Sequence, residues 1–500
     1  MNNKNLQMYR GVPIVSSQVR VLHQLEHLLG RPVPFHPETD EFGRTPTFCF
    51  AAEENQVVRL NLVGQRLTTL PATIGHLNTL QILSIARNQL TILPESIGQL
   101  SKLQNLFLAR NQLTSLPETF GNLINLRMLD LKENYLYSLP KSIGHLKNLE
   151  ELILWQNQLS SLPKSFPQLV ALEVLDLGFN RLASISESFG NLKSLKELYL
   201  DHNELTFLPN TIGQLVSLTV LDLSYNQICS LPESFSNLKA LQKLYLARNQ
   251  LQTLPQSFGK LNHLIEISLW GNQLKSLPES FGNLRNLKLL KLSRNRLQTL
   301  CESFEQLTDL KELALDDNQL YYLPETFRNL RSLQALYIAG NNLEKLPVHF
   351  NELQQLKILE VHDNQLKVLP EYFGALSNLE VLYLDNNQLR YLPHNFDLLD
   401  KLVEISIEDN PLGAMLAFLQ LAQSNSTFQS SWVTSFQLYS DYSSSSLFNH
   451  PLIRDLEPTS LQRLKEDMCP FCGKNQLVLG QEKETNHQRI FCSNCENRVQ

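Results

Sequence analysis

The sequence predicts an α/β solenoid. It would be a curved coil with a parallel sheet on its concave side, short helical or 3-10 segments on its convex side, and a small β module at its C-terminal end. Three observations predict this. A 23-residue unit repeats sixteen times with no insertion or deletion. Within each unit an L-x-L alternation runs into an asparagine that never leaves register. After the repeats, four of the seven cysteines fall together as two C-x-x-C pairs.

The repeat comes first, because a fixed period decides the architecture. Residues 90–112 read LTILPESIGQLSKLQNLFLARNQ, and residues 113–135 read LTSLPETFGNLINLRMLDLKENY. Asparagine returns every 23 residues from Asn88 to Asn410, and Gln65 takes its place in one earlier unit. The shared pattern is L-x-x-L-x-L-x-x-N-x-L-x-x-L-P-x-x-[IF]-x-x-L-x-x. The alternation sends Leu106 and Leu108 into the coil and Asn105, Phe107 and Ala109 outward. Strands of successive units pair in parallel, about 4.8 Å apart. Asparagine then turns the chain, its buried amide satisfying backbone groups of the turn and of the neighbouring coil. Proline fixes φ and has no N–H to orphan where the return segment begins. Ile97, Leu100 and Leu103, three apart, suit a short helical or 3-10 turn. No unit can bury its leucines alone, so stacking makes the core. Ser186 and Cys301 replace the proline in two units, which reads as variation at a tolerant position. No partner for a reactive Cys301 thiol is visible nearby in sequence.

This pattern resembles the leucine-rich repeat, and the resemblance covers roughly residues 57–412. Within that family the L-P-x-x-[IF]-g-x-L segment most resembles the intracellular Ras-group type. The resemblance implies a curved horseshoe that binds partners on its concave sheet. It admits a signalling partner such as a small GTPase or a phosphatase complex, without supplying partner-specific residues.

The ends divide from the repeats by composition. Residues 1–56 read as an N-terminal helical cap. In SSQVRVLHQLEHLL (16–29), Val19, Leu22, Leu25, Leu28 and Leu29 recur at helical spacing, and serine suits the N-cap. TFCFAA (46–51) reads as a strand leading into the solenoid at 57–412. Residues 413–467 read as a capping helix, AMLAFLQLAQ, and a serine-rich linker. Residues 468–500 hold the cysteine module.

Bulk properties narrow the function. Net charge is −6 and hydrophobic content 42%, which gives no general reason to expect nucleic acid or an anionic membrane. No run approaches the ~20 apolar residues of a membrane span. Cys49, Cys229 and Cys301 stand singly, as in a reducing compartment. The expectation is a cytoplasmic chain. No P-loop, nucleophile elbow or H-E-x-x-H is present, so catalysis is not expected.

The fixed register names the outward positions: six, four, two and one residues before each asparagine, and one after. They include Phe107, Trp155, Phe179, Tyr199, Tyr225, Tyr245, Trp270, Tyr337 and Tyr383. Large aromatics at wet strand positions are typical of interface anchors. Charge on this face is graded. The first three units offer Arg59, Arg66, Arg87 and Arg110 and no acid. The last five offer nine acids and no Lys or Arg, among them Asp316, Asp317, Asp363 and Asp385. The reading is a protein partner with a basic patch toward the C-terminal repeats.

Cys469, Cys472, Cys492 and Cys495 are spaced C-x2-C-x19-C-x2-C, which fits one structural Zn2+ held by four thiolates. QLVLG and RIF read as a hairpin between the pairs, and the module resembles a zinc ribbon. Residues 461–500 carry six Lys/Arg against five Asp/Glu, which disfavours nucleic acid. Four cysteines are too few for a two-zinc RING. The functional expectation is a non-enzymatic protein-binding scaffold with the zinc module as a second docking element. The alternative is an adaptor that recruits an enzyme through the ribbon, and a nucleic-acid-binding protein is the least favoured reading.

Overall fold

The computed structural model describes residues 5–36 and 48–411, together with the backbone of residues 477–481 and 488–492. It divides into two compact units, Met1–Arg296 and Leu297–Gln500. The expected capping helix and linker (413–467) and Cys469, Cys472 and Cys495 lie outside the described residues.

The first unit opens with a hairpin that periodicity did not foresee. Strands β1 (Leu6–Tyr9) and β2 (Val12–Val15) pair antiparallel. Helix α1 (Ser16–Leu29) follows, burying Val19, Val21, Leu22 and Leu25, and ends at Gly30 in the left-handed region (φ 65°). Neither serine caps it. Val15 holds the N-cap position, and Ser16 Oγ donates instead to Asn5 O. Gln18 fastens the helix to the first coil. Its Nε2 donates to Thr79 Oγ1 (3.0 Å) and its Oε1 accepts from Val57 N–H (2.8 Å).

Strand β3 (Phe48–Glu53) pairs antiparallel with β4 (Gln56–Leu62). From β4 onward all pairing is parallel, through the three-residue strands β5 (Ile82–Ser84) to β14 (Leu289–Lys291), each advancing one repeat. Leu106 and Leu108 are fully buried, as the alternation requires, while Phe107 is half-buried. Ala109 departs from expectation: it is only 5% exposed.

The asparagine ladder performs the role its position predicts. Asn134 Nδ2 donates to Leu131 O in its own coil (2.9 Å) and to Leu108 O in the preceding one (3.0 Å), and its Oδ1 accepts from Leu113 N–H (3.1 Å). Repeated along the unit, this satisfies buried turn groups that no water reaches. Each return segment starts near the proline φ, −67° at Pro94, and winds one 3-10 turn such as Glu95–Gln99. Ser186 keeps that geometry at φ −75°. Glycine in the turn lets coils close up. A Cβ on Gly259 would lie 1.7 Å from Ser280 O.

The second unit repeats the construction. Strands β15 (Glu312–Ala314) to β19 (Glu404–Ser406) are parallel. Cys301 occupies the proline position at φ −66° and is 8% exposed, so the fold buries this thiol. Phe327, Phe350, Phe373 and Phe396 stack along the interior with centroids 6.0–6.4 Å apart. Farther along the chain, β20 (Leu477–Gln481) pairs antiparallel with β21 (Gln488–Cys492), Leu477 opposite Cys492.

Candidate protein-binding face

The sheet face opposite the 3-10 turns carries every aromatic position the register names. In the first unit Phe179 and Tyr225 are 40% and 44% exposed, and Phe107, Trp155, Tyr199, Tyr245 and Trp270 are half-buried. In the second, Tyr337 and Tyr383 are half-buried.

The residue just before each asparagine adopts positive φ in every coil. Thirteen of these are not glycine: in the first unit Arg87, Arg110, Glu133, Gln156, Phe179, His202, Tyr225, Arg248 and Arg294, and in the second Asp317, Asp363, Asn386 and Asp409. Gly64, Gly271 and Gly340 fill the remaining three. The second unit uses residues that tolerate this region, whereas the first uses large ones at about 1–2 kcal/mol each.

In the first unit those strained positions build a ladder. Trp155 meets Phe179 edge-on at 5.2 Å. Phe179 stacks on His202 at 3.8 Å and His202 on Tyr225 at 4.2 Å, with ring planes within 14°. Stacking returns about 0.5–1.5 kcal/mol per pair, which offsets part of the strain. Farther along, Trp270 lies under two guanidiniums, Arg248 at 4.2 Å and Arg294 at 5.4 Å. Phe107 stands two coils before Trp155, outside this cluster.

Beside the ladder runs a row of acids that the sequence reading overlooked: Glu151, Asp176, Glu197, Asp201 and Asp222. Gly178 floors it. A Cβ there would lie 2.6 Å from Asp201 Oδ1 and 2.9 Å from Trp155 Cδ1, so the missing side chain lets both settle on the strand. Burial, with help from the Asp201 charge, pushes Asp176 up to about 6, even though Gly178 N–H donates to it at 2.9 Å. Burial also raises Glu151 and Asp222. Tyr199 is raised by burial and by donating to Glu197 (2.8 Å), and Tyr245 is raised to about 12 by burial and Glu266.

The acids of the second unit are not all equivalent. Asp316 Oδ1 accepts from Ala339 N–H (3.0 Å), and Asp385 Oδ1 from Glu408 N–H (2.8 Å) and Ser406 Oγ, so both also hold coils together. Asp363 pairs with His362 (2.7 Å), which keeps its carboxyl below the usual range. Burial raises Glu360, with Asp316 adding to it, and burial with Asp385 raises Glu408. Among the described residues, no group of three or more His, Cys, Asp or Glu could hold a metal, and no helix is long and apolar enough to cross a membrane.

The arrangement defines a repeat protein, each unit of which presents a patterned sheet of aromatic and charged side chains. The chain belongs to the leucine-rich-repeat family. A profile described as a leucine-rich repeat region matches residues 115–204, 186–273, 208–313 and 256–341, and a leucine rich repeat profile matches 55–113 and 354–412. A leucine-rich-repeat protein of Leptospira interrogans is 38% identical with a TM-score of 0.63, over 69% of this chain and 95% of its own. The plant peptide hormone receptor RGFR1, in complex with RGF2, is 28% identical with a TM-score of 0.58, over 68% of this chain. The PEPR1–AtPEP1 structure is 28% identical with a TM-score of 0.67, over 78% of this chain. The match spans 61% and 58% of the RGFR1 and PEPR1–AtPEP1 chains. No curated protein sequence matches the chain. Leucine-rich-repeat proteins bind protein partners through the sheet face.

Proposed function

We propose that this protein is a non-enzymatic, intracellular scaffold of the Ras-group type that grips a protein partner on the exposed sheet face. The observation that carries the reading is the density of large aromatic and acidic side chains on that face. The buried leucines and asparagines already hold the coils together without them. Two similar structures are complexes, of RGFR1 with RGF2 and of PEPR1 with AtPEP1, which supports a polypeptide ligand. The acids of the second unit favour a basic patch on the partner. Asp317→Asn, Asp363→Asn and Asp409→Asn together remove three charges while keeping a side chain suited to positive φ. This variant is expected to bind the partner more weakly and to show a shallower salt dependence. Unchanged affinity and salt slope would exclude the second unit as the contact.

Cys469, Cys472, Cys492 and Cys495 are proposed to hold one Zn2+. The β20–β21 pairing ends on Cys492, one of the four, which supports this reading. Four thiolates close the shell, so the metal would fold the module and not catalyse. The module then acts as a second docking element. Metal analysis of the purified chain is expected to give one zinc, lost in Cys469→Ser. A metal-free wild-type chain would remove the ribbon from the account.

A further inference from the structure

We infer that the Phe179–His202–Tyr225 ladder, with the acids beside it, is a seat for arginine side chains of an extended partner segment. The inference rests on the reading that the sheet face binds a protein, and it names the chemistry of the contact in the first unit.

Charge sets the sign of the occupant. From Glu151 to Tyr225, the outward positions ahead of each asparagine carry five acids and no Lys or Arg. Arg181 lies on the far side of its asparagine. The cations at either end are engaged: Lys132 faces Asp130 at 3.7 Å, and Arg248 lies over Trp270. His202 Nδ1 meets Asp201 Oδ2 at 3.0 Å, and burial together with the Asp201 charge, against a smaller pull from Lys132, holds the Asp176 carboxyl above its ordinary value.

Shape selects arginine over lysine. A guanidinium is flat: it stacks on aromatic rings and meets a carboxylate with two parallel N–H bonds, whereas an ammonium offers only a point charge. The inner faces of the ladder are taken by its own stacking, so what it offers is its end rings, Phe179 and Tyr225, with carboxylates beside them. The same sheet shows the pairing in use, with two of the chain's own guanidiniums on Trp270. Positive φ adds an independent argument. Glycine would fit these three positions without strain, as Gly64 and Gly271 do, yet all three carry rings. Two strand steps, about 10 Å, separate Phe179 from Tyr225, close to three residues of extended chain. Arginines three apart would therefore bracket the ladder.

The test uses the full chain and two fluorescein-labelled peptides, (Arg-Gly-Gly)4 and (Lys-Gly-Gly)4, read by anisotropy at physiological salt. The arginine peptide is expected to bind about fivefold tighter, the gain that ring stacking adds to charge. Combined Phe179→Gly, His202→Gly and Tyr225→Gly should erase that preference without lowering Tm, because glycine relieves the strain. Asp176→Asn, Asp201→Asn and Asp222→Asn should weaken both peptides about tenfold or more. If the glycine variant fails to fold, Tyr225→Leu with His202→Asn takes its place and should erase the preference, while this second set tests the acids. Equal affinity of the two peptides for wild type, or a preference that survives the glycine variant, overturns the seat. If binding moves only with Asp317, Asp363 and Asp409, the sheet face stands and the seat falls. If native-partner capture survives all three sets, the sheet-face reading falls as well.

Discussion

Replacing Asn226 with alanine probes the ladder that joins the coils. The side chain is 7% exposed. Its Nδ2 donates to the carbonyls of Leu200 (2.9 Å), Leu223 (3.1 Å) and Ser224 (3.2 Å), and its Oδ1 accepts from Leu205 N–H (2.9 Å). The carbonyls keep second donors: Asn203 on Leu200, Asn249 on Leu223 and His202 N–H on Ser224. Among the described residues no other acceptor reaches Leu205 N–H. Alanine therefore orphans one buried donor, at about 1–3 kcal/mol, and deletes three shared bonds worth about 0.5–1 kcal/mol each. The sum is about 2.5–6 kcal/mol. Neighbouring coils feel it most, since stacked repeats couple to nearest neighbours. Urea unfolding gives the total, and hydrogen exchange at the Leu205 amide gives the local part. Asn410→Ala, at a part-buried site in the last repeat, should lose less. A loss under about 1 kcal/mol at Asn226, or unchanged exchange at Leu205, would refute the reasoning.

Burial holds the Asp176 carboxyl up at about 6 in the fold, above its ordinary 3.8. An acid raised this way favours the fold below pH 3.8, and that contribution is lost as pH rises through about 6. Asp176→Asn should therefore be more stable than wild type at pH 7.5 by about 1–2 kcal/mol, after discounting for solvent contact, and equal to it near pH 3.5. Chemical denaturation at the two pH values checks this, and no difference at pH 7.5 contradicts it. Gly259→Ala forces a Cβ to 1.7 Å from Ser280 O, so the coils must part; a loss of about 1–3 kcal/mol in urea is expected, and a neutral substitution would contradict the close approach.

The repeat was legible because one residue type carries one job in every coil. Asparagine bridges coils, leucine fills them and proline, save at Ser186 and Cys301, starts the return, so each leaves a mark every 23 residues. The outward aromatics were legible for the same reason: register alone places Trp155 or Tyr245. The strained position was not. No glycine or asparagine consensus marks it, since the fold imposes positive φ there on Arg87 as readily as on Tyr225. His202 was overlooked although register aligns it with Phe179 and Tyr225; only the stacked rings show its place. The acids of the first unit escaped because charge was compared at the ends of the array. Their proximity becomes plain once Gly178 lets Asp201 settle near Asp176. The β1–β2 hairpin left no period, as two four-residue strands are too short to show one.

On the proposed function, a partner meets the sheet face and not the 3-10 side. Hydroxyl-radical footprinting of the chain, free and in its purified native complex, compares the two directly. Protection is expected at Trp155, Phe179, Tyr199, Tyr225 and Trp270, while Ile124, Val170 and Val216, exposed just after 3-10 turns, are oxidised as in the free chain. Protection of Ile124, Val170 and Val216 while the sheet aromatics stay reactive would contradict it.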